Sequence, residues 1–348
     1  MNILDMHCDT ITGLFHVNEK DTDGGQKKET LRGNSGHVDL LRMKQSGYLL
    51  QNFALFVNQS KYPKVWEQVQ KYAHFYQEEI MENSDLIAAV LQYDDIVKNQ
   101  EAGKMSAFLT VEEGAVCEGK IERLKELYNM GVRMMTLTWN FENEIGFPNT
   151  VMRNLPDDKH GLTEVGKQFV HEMQKMGMIV DVSHLSDAGF RDVYDNTTKP
   201  FVASHSNARA MAGHVRNMTD EMIRMLADRG GVMGLNFCPD FLFWEFGELP
   251  EDENEITKLT AEHEVTKEAH KDLYLQDVVR HAKYIENVGG IEVLGLGSDF
   301  DGIPLNPSLR GVQDMGHLWD ALHKGGFSQD KIDMIFYKNA LRVYKECL

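Results

Sequence analysis

The chain has 348 residues, with 54 Asp or Glu against 36 Lys or Arg, for a formal charge of −18. That balance argues against a groove for nucleic-acid phosphates, whose affinity comes from clustered cations. With 42% hydrophobic residues the chain can bury a large core, yet no apolar run reaches the roughly 18 residues of a membrane span.

In chain order, short apolar runs at residues 2–6, 49–57, 105–111, 133–138, 178–182, 200–203, 231–235 and 293–296 predict buried strands. Between them, residues 64–83, 121–130, 163–176 and 220–229 place apolar side chains three and four apart, the helix period. Thr163 followed by Glu164 predicts an N-cap with an acid in the first turn. Eight strands alternating with helices predict an α/β fold, a (β/α)8 TIM-type barrel formed as one domain over residues 1–348. Two segments break the rhythm. Residues 17–36, rich in Gly, Lys and Asp, predict a mobile loop behind the first strand. Residues 238–271 are aromatic at Phe241-Leu242-Phe243-Trp244 and acidic over 248–255. They predict a long insertion after the seventh strand, forming a rim or lid, with a solvated loop or a homodimer contact as the alternative.

The N-terminus shows neither a basic region nor a long apolar stretch, so no signal peptide is expected. Cys8, Cys117, Cys238 and Cys347 are spaced as neither a disulfide framework nor a zinc ribbon. A cytoplasmic globular protein with no membrane and no nucleic-acid partner is the expectation.

Several motifs fail on inspection. Gly114 to Lys120 begins like a phosphate loop, but Ile121 stands where Ser or Thr must bind magnesium. His171-Glu172 and His263-Glu264 begin like a zinc-protease helix, but Lys175 and Lys267 replace the second histidine, so both read as helix-surface residues. Gly295-Leu296-Gly297 has Phe300 where a dinucleotide fingerprint needs glycine, and Asp299-Phe300-Asp301-Gly302 has Arg310 where a calcium loop needs an acid.

A pattern of position survives. His7 and Asp9 close the first strand, Glu112 and Glu113 the third, His184 the fifth, His205 the sixth, and Asp299 and Asp301 the eighth. In a parallel barrel those ends converge on the face that carries active sites. A lone His after a strand is usually structural, and an Asp or Glu there often caps a helix; the coincidence at five strand ends carries the argument. In His-x-Asp both side chains share one face of the strand, and imidazole with carboxylate suits zinc. Five such ligands exceed one tetrahedral site, so a bridging carboxylate would divide them between two metals, as in two-metal hydrolases. His16, His37, His74, His160, His270, His317 and His323 fit no such pattern and read as structural or exposed.

The stretches Asp5-Met6-His7-Cys8-Asp9, Val111-Glu112-Glu113-Gly114, Gly131-Val132-Arg133-Met134-Met135-Thr136-Leu137-Thr138, Gly161-Leu162-Thr163, Asp181-Val182-Ser183-His184, Ser204-His205-Ser206, Arg216-Asn217 and Gly297-Ser298-Asp299-Phe300-Asp301-Gly302 are each short, but specific in their order and spacing. Together, over nearly the whole chain, they resemble the renal (membrane) dipeptidase family, zinc peptidases on an amidohydrolase-like (β/α)8 barrel. The resemblance implies two zinc ions per chain, one held by His7, Asp9 and Glu112 and the other by Glu112, His184 and His205. It implies that Arg216 binds the substrate carboxylate and that Asp299 holds the amino group and assists proton transfer. Trp139 stands where the animal enzymes carry a substrate-orienting His, and Phe241 where they carry Tyr, so Trp139 is expected to shape the substrate pocket. The expected activity is hydrolysis of free dipeptides, including those with a C-terminal D-residue. The alternatives are a metal-dependent hydrolase of another small amide or lactam, and a catalytically silent binding barrel.

Overall fold

The computed structural model describes residues 1–20, 29–270, 273–304 and 307–348. Nine parallel strands form: β1 (Ile3–Asp5), β2 (Tyr48–Phe56), β3 (Ile87–Ala89), β4 (Met105–Glu112), β5 (Val132–Thr136), β6 (Ile179–Asp181), β7 (Val202–Ala203), β8 (Val232–Leu235) and β9 (Leu294–Leu296). The order β2-β1-β9-β8-β7-β6-β5-β4 closes on itself because β2 also pairs with β4, from Leu50↔Ser106 to Phe56↔Glu112. The result is the eight-stranded parallel barrel the alternation predicts. β3 hangs outside it on the flank of β4 and was not among the expected strands.

Both faces of these strands are covered, which explains why they read as continuous apolar runs rather than alternating ones. Leu4, Leu50, Phe108, Met134, Ile179, Val202 and Val232 pack inside the barrel. The C-terminal helix Asn339–Cys347 closes its floor: Tyr344 stacks on Phe108 at 4.6 Å and donates to Asn52 Oδ1 at 2.9 Å. A larger apolar layer joins the outer faces of the strands to the surrounding helices. Thr163 caps the helix Glu164–Met176 by accepting from Gly166 N at 3.0 Å, as its sequence position predicts.

The first irregular segment differs from expectation. Residues 17–20 belong to the helix Thr10–Lys20, residues 21–28 lie outside the described residues, and Leu31 beyond them is fully buried. The mobile-loop reading of 17–36 is therefore corrected at both described ends. Residues 238–270 contain two helices, Pro239–Leu242 and Glu253–His270. His263 is not on a helix surface: it is buried, because the aromatic stretch before its helix folds back on it, with Phe243 at 6.0 Å and Trp244 at 4.7 Å. His171 is exposed as expected, while the side chain of His270 lies outside the described residues.

Candidate active site

His7 and Asp9 follow β1, Glu112 ends β4, His184 follows β6, His205 follows β7 and Asp299 follows β9, so five strands deliver six buried side chains to one barrel mouth. The backbone there is unusual. Glu113, His184, Asp299 and Asp301 have φ of 96°, 72°, 64° and 66°, left-handed values that a side chain disfavours and that cluster at functional sites. Close approach also demands glycine. A Cβ on Gly297 would lie 1.8 Å from Ser204 O, and one on Gly302 would lie 2.1 Å from Asp9 Oδ2.

Glu112 is the centre of the arrangement. Its Oε2 faces His7 Nε2 at 3.3 Å, and its Oε1 faces His184 Nε2 at 3.0 Å and His205 Nε2 at 3.7 Å. Asp9 Oδ2 lies 3.5 Å from His7 Nε2. Two donor groups result, His7–Asp9–Glu112 and Glu112–His184–His205, and a third, His7–His205–Asp299, overlaps them. Each could hold a metal ion.

The surroundings fix which ring nitrogen is free. Ser204 Oγ donates its proton to Asp181 Oδ2 at 2.5 Å, so it accepts from His205 Nδ1 at 2.7 Å. Asn140 Oδ1 accepts from His184 Nδ1 at 2.9 Å. Both Nε2 atoms are then lone-pair acceptors, and they face each other across 3.1 Å. Two lone pairs at that distance repel unless a cation lies between or beside them, which is the usual arrangement of a metal-binding histidine with its outer hydrogen bond. His7 Nε2 and Asp9 Oδ1 are likewise buried without a hydrogen-bond partner among the described residues.

Electrostatics point the same way. Burial, then the Arg216 charge, hold His184 well below its ordinary pKa; His205 is lowered by burial and then by His7 and Arg216. Burial would also lower His7, but Glu112 and Asp9 outweigh it and hold that imidazole well above its usual value. Burial pushes Glu112 up to about 7 and raises Asp299. Three carboxylates in one buried cluster, with Arg216 as the neighbouring guanidinium, leave a surplus of negative charge that cations would neutralise. The donor set is nitrogen and oxygen only, which fits zinc.

Asp9, Glu112, His184 and Asp299 border a cavity of about 410 Å³, within the range for a small ligand, whose walls include Phe56, Trp139, Arg216, Cys238 and Phe241. Arg216 is 4% exposed; its Nη2 reaches His205 O at 3.4 Å, while Nε and Nη1 have no hydrogen-bond partner among the described residues. The Phe241 ring lies 5.3 Å from its guanidinium carbon. Asn236 Nδ2 holds Asp299 Oδ2 at 2.9 Å. Trp139 is half-buried, 4.8 Å from Phe56 and 6.1 Å from His184.

Not every strand-end acid faces the cavity cluster. Glu113 is turned into the loops, accepting from Ala115 N at 3.0 Å, Asn143 Nδ2 at 2.6 Å and Trp139 N at 3.4 Å. Asp301 accepts from Thr10 Oγ1 and His37 N, both at 2.6 Å. His16, expected to be structural, also lines the cavity mouth, where Tyr72 OH lies 2.8 Å from its Nε2. Sequence reasoning passed over Asp181, Asn140, Asn236 and His214. Asp181 was visible two residues before Ser183-His184; the others lie in loops and carried no positional signal.

A family model described as membrane dipeptidase (peptidase family M19) matches residues 1–347. An uncharacterized protein of Klebsiella pneumoniae from the pqqA 5′ region is 33% identical over 252 residues, 72% of this chain and 85% of its own length. An uncharacterized dipeptidase of Schizosaccharomyces pombe is 28% identical over 330 residues, covering 90% of this chain and 73% of that one. Among solved structures, the dipeptidase AC, a metallopeptidase of family M19, gives a TM-score of 0.84 at 22% identity, covering 100% of this chain and 98% of that one. A Rhodobacter sphaeroides metallopeptidase liganded with a phosphinate mimic of L-Ala-D-Ala gives 0.79 at 21% identity, over 100% and 99% of the two chains. Those structural likenesses carry the barrel; the family match over the whole chain carries the class of chemistry. The chain belongs to the membrane dipeptidase family, peptidase family M19, and is a metal-using dipeptidase of that family.

Proposed function

We propose that the enzyme is a dizinc dipeptidase cleaving the single peptide bond of free dipeptides, including those with a C-terminal D-residue. His7, Asp9 and Glu112 would hold one zinc, and Glu112, His184 and His205 the other. The division is supported by the two Glu112 oxygens facing separate donor sets. When bound, such a pair supplies Lewis-acid polarisation of the scissile carbonyl and an acidified water at neutral pH.

The chain's own residues orient the substrate. Arg216 offers a buried guanidinium whose Nε and Nη1 have no hydrogen-bond partner among the described residues, and a planar edge of it could meet a carboxylate in a way that Lys could not reproduce. That guanidinium is the observation that carries the reading, since buried donor groups without an acceptor are costly unless a ligand completes them. Asp299 is held at Oδ2 by Asn236, and Oδ1, 3.8 Å from His7 Nε2, is the oxygen that would grip a free amine and pass a proton to the leaving nitrogen. Phe241 and Cys238 border the same cavity, which supports a rim role for residues 238–271. The phosphinate mimic of L-Ala-D-Ala on the Rhodobacter sphaeroides protein supports D-residue turnover. Four free, buried cysteines support a reducing, cytoplasmic location.

The test combines metal analysis with kcat/KM for a dipeptide, its C-terminal amide and the matching tripeptide. Two zinc ions per chain are expected, with a preference of about a hundredfold for the free dipeptide, the equivalent of about 3 kcal/mol. Equal turnover of the amide would remove the carboxylate grip, and a folded chain with no affinity for metal would favour a silent binding barrel.

A further inference from the structure

A second cavity, of about 700 Å³, adjoins the catalytic one, and Trp139 and Asn140 line both. Phe147, Pro148 and Val151 supply apolar walls, and Met152 at its edge is 85% exposed, an unusual position for a large apolar side chain.

The groove is built rather than incidental. Asn149 Nδ2 donates to Asp187 Oδ1 at 2.9 Å and to Val215 O at 3.0 Å, and its Oδ1 accepts from Asp157 N at 2.8 Å. Asn154 Nδ2 donates to Gly213 O at 2.8 Å and Gly247 O at 2.9 Å, and Thr150 and Leu155 exchange backbone bonds. The turn that forms one wall is thus pinned on both sides.

Two features identify the occupant. Asn149, in the groove wall, holds the carbonyl of Val215, the residue next to Arg216. Asn149 and Arg216 also border one small void, while Asp299 borders neither that void nor the groove, so the groove lies toward the carboxylate end of a ligand held by Arg216 rather than its amino end. The charge lining is one-sided: Glu142 and Asp157 border the groove, and no Lys or Arg among the described residues does. Asp157 is paired with His160 Nδ1 at 2.8 Å, while Glu142 is exposed. The N–H groups of His160 and Lys159 outweigh burial and keep the Asp157 carboxyl below its ordinary range, so it stays anionic.

We infer that this groove receives the side chain of the substrate's C-terminal residue, selecting a long side chain with an apolar stem and a neutral or cationic end over a short or anionic one. The inference rests on the dipeptidase reading above.

The test uses the zinc-loaded full chain and dipeptides Ala-X, with X as Ala, Met, Lys or Glu in both configurations. Met and Lys should exceed Ala several-fold and Glu at least tenfold in kcat/KM. Val151→Trp, which fills the groove, should lower the Met-to-Ala ratio about tenfold. Glu142→Lys, at an exposed position that tolerates exchange, should raise the Glu-to-Lys ratio at least fivefold. A wild-type panel indifferent to X overturns the groove assignment while leaving the dipeptidase intact. So do ratios unmoved in both folded variants. Absence of turnover for every dipeptide, with another amide cleaved instead, overturns the dipeptidase reading and this inference with it.

Discussion

Two buried arginines sit at opposite ends of the barrel and are satisfied in opposite ways. Arg133, near the start of β5, donates from Nε to Leu91 O at 2.7 Å and from Nη1 to Tyr128 O at 2.7 Å and Val132 O at 2.9 Å. Its guanidinium also lies 3.6 Å from the Tyr128 ring centre. Arg216, at the mouth, keeps Nε and Nη1 unpaired among the described residues. A buried cation is tolerated where hydrogen bonds replace water. Arg133 finds them within the chain and is a structural residue; at Arg216 the missing acceptor is what a ligand would bring. Glu113 and Glu112 repeat the contrast on adjacent residues. Four N–H groups, from Ala115, Trp139, Asn143 and Gln59, donate to Glu113, whereas the oxygens of Glu112 face the imidazoles of His7, His184 and His205.

The carboxylate pair gives the largest expected difference. Glu112→Ala should lower kcat/KM at least about a thousandfold, or about 4 kcal/mol, with loss of bound metal. Glu113→Ala should retain metal and instead lose about 1–3 kcal/mol of stability, because four N–H groups, that of Ala115 buried, lose their acceptor. Metal analysis and urea midpoints on the two variants separate the outcomes. Equal activity losses with metal retained in both would erase the distinction.

The arginine pair comes next. Arg216→Lys keeps the charge but loses the two-pronged donor, so kcat/KM for a free dipeptide should fall about a hundredfold, along with the preference for acid over amide. Arg133→Lys should cost about 1–2 kcal/mol of stability through lost carbonyl bonds, with no change in that preference. An acid-over-amide preference that survives Arg216→Lys would place the carboxylate grip elsewhere.

Histidines sharpen the contrast through pH. His281 accepts from Ala208 N at Nδ1, 3.2 Å away, and donates from Nε2 to Leu242 O at 3.1 Å, so both nitrogens are used and the ring is neutral. Burial lowers its pKa to about 4. The unfolded chain, at about 6.5, binds the proton more readily. Stability from this residue is therefore complete above pH 6.5 and is lost as pH falls toward 4, by about 3 kcal/mol. Urea midpoints from pH 8 to pH 4 should fall less steeply for His281→Gln than for wild type; parallel curves would assign the slope to other groups.

How much of this was legible in the sequence follows from how local each signal is. The barrel strands are short apolar runs with polar ends, and all eight appear where the sequence places them. β3 escaped notice because it is three residues long and pairs only with β4 outside the closed barrel. The helix Glu253–His270 escaped because it presents no apolar stripe; His263, buried against aromatics ten or more residues earlier, and Lys267, 2.8 Å from Asp240, tie it down. The strand-end His, Asp and Glu residues announced themselves by position, and the structure gathers them around Glu112. Asn140, Asn236 and His214 sit in loops whose course depends on the closed barrel, so no local pattern marks them. Position at a strand end did not distinguish Glu112 from Glu113 or Asp299 from Asp301. The family resemblance singled out Glu112 and Asp299; in the structure, backbone twist and partners separate Glu113 from Glu112, and partners alone separate Asp301 from Asp299, whose φ values are alike.

Trp139 belongs to neither class of buried polar residue, and its effect should be the smallest. Its backbone N–H donates to Glu113 Oε2 at 3.4 Å, so the saturated carboxylate positions the residue whose ring borders both cavities. Indole offers a donor and no acceptor, so it can be neither base nor metal ligand near neutral pH. Its contacts are aromatic, with Phe56 at 4.8 Å and Phe141 at 5.7 Å, interactions worth about 0.5–1.5 kcal/mol each. Trp139→Ala should keep bound metal at the wild-type level and change the ranking of dipeptides by about tenfold, mainly by joining the two cavities. Because Glu113 anchors the same backbone, Glu113→Ala should shift that ranking in the same direction, but less. A side-chain panel on both variants checks the coupling. If Trp139→Ala leaves the ranking unchanged, the indole is a structural rim residue, and discrimination comes from the other walls of the two cavities.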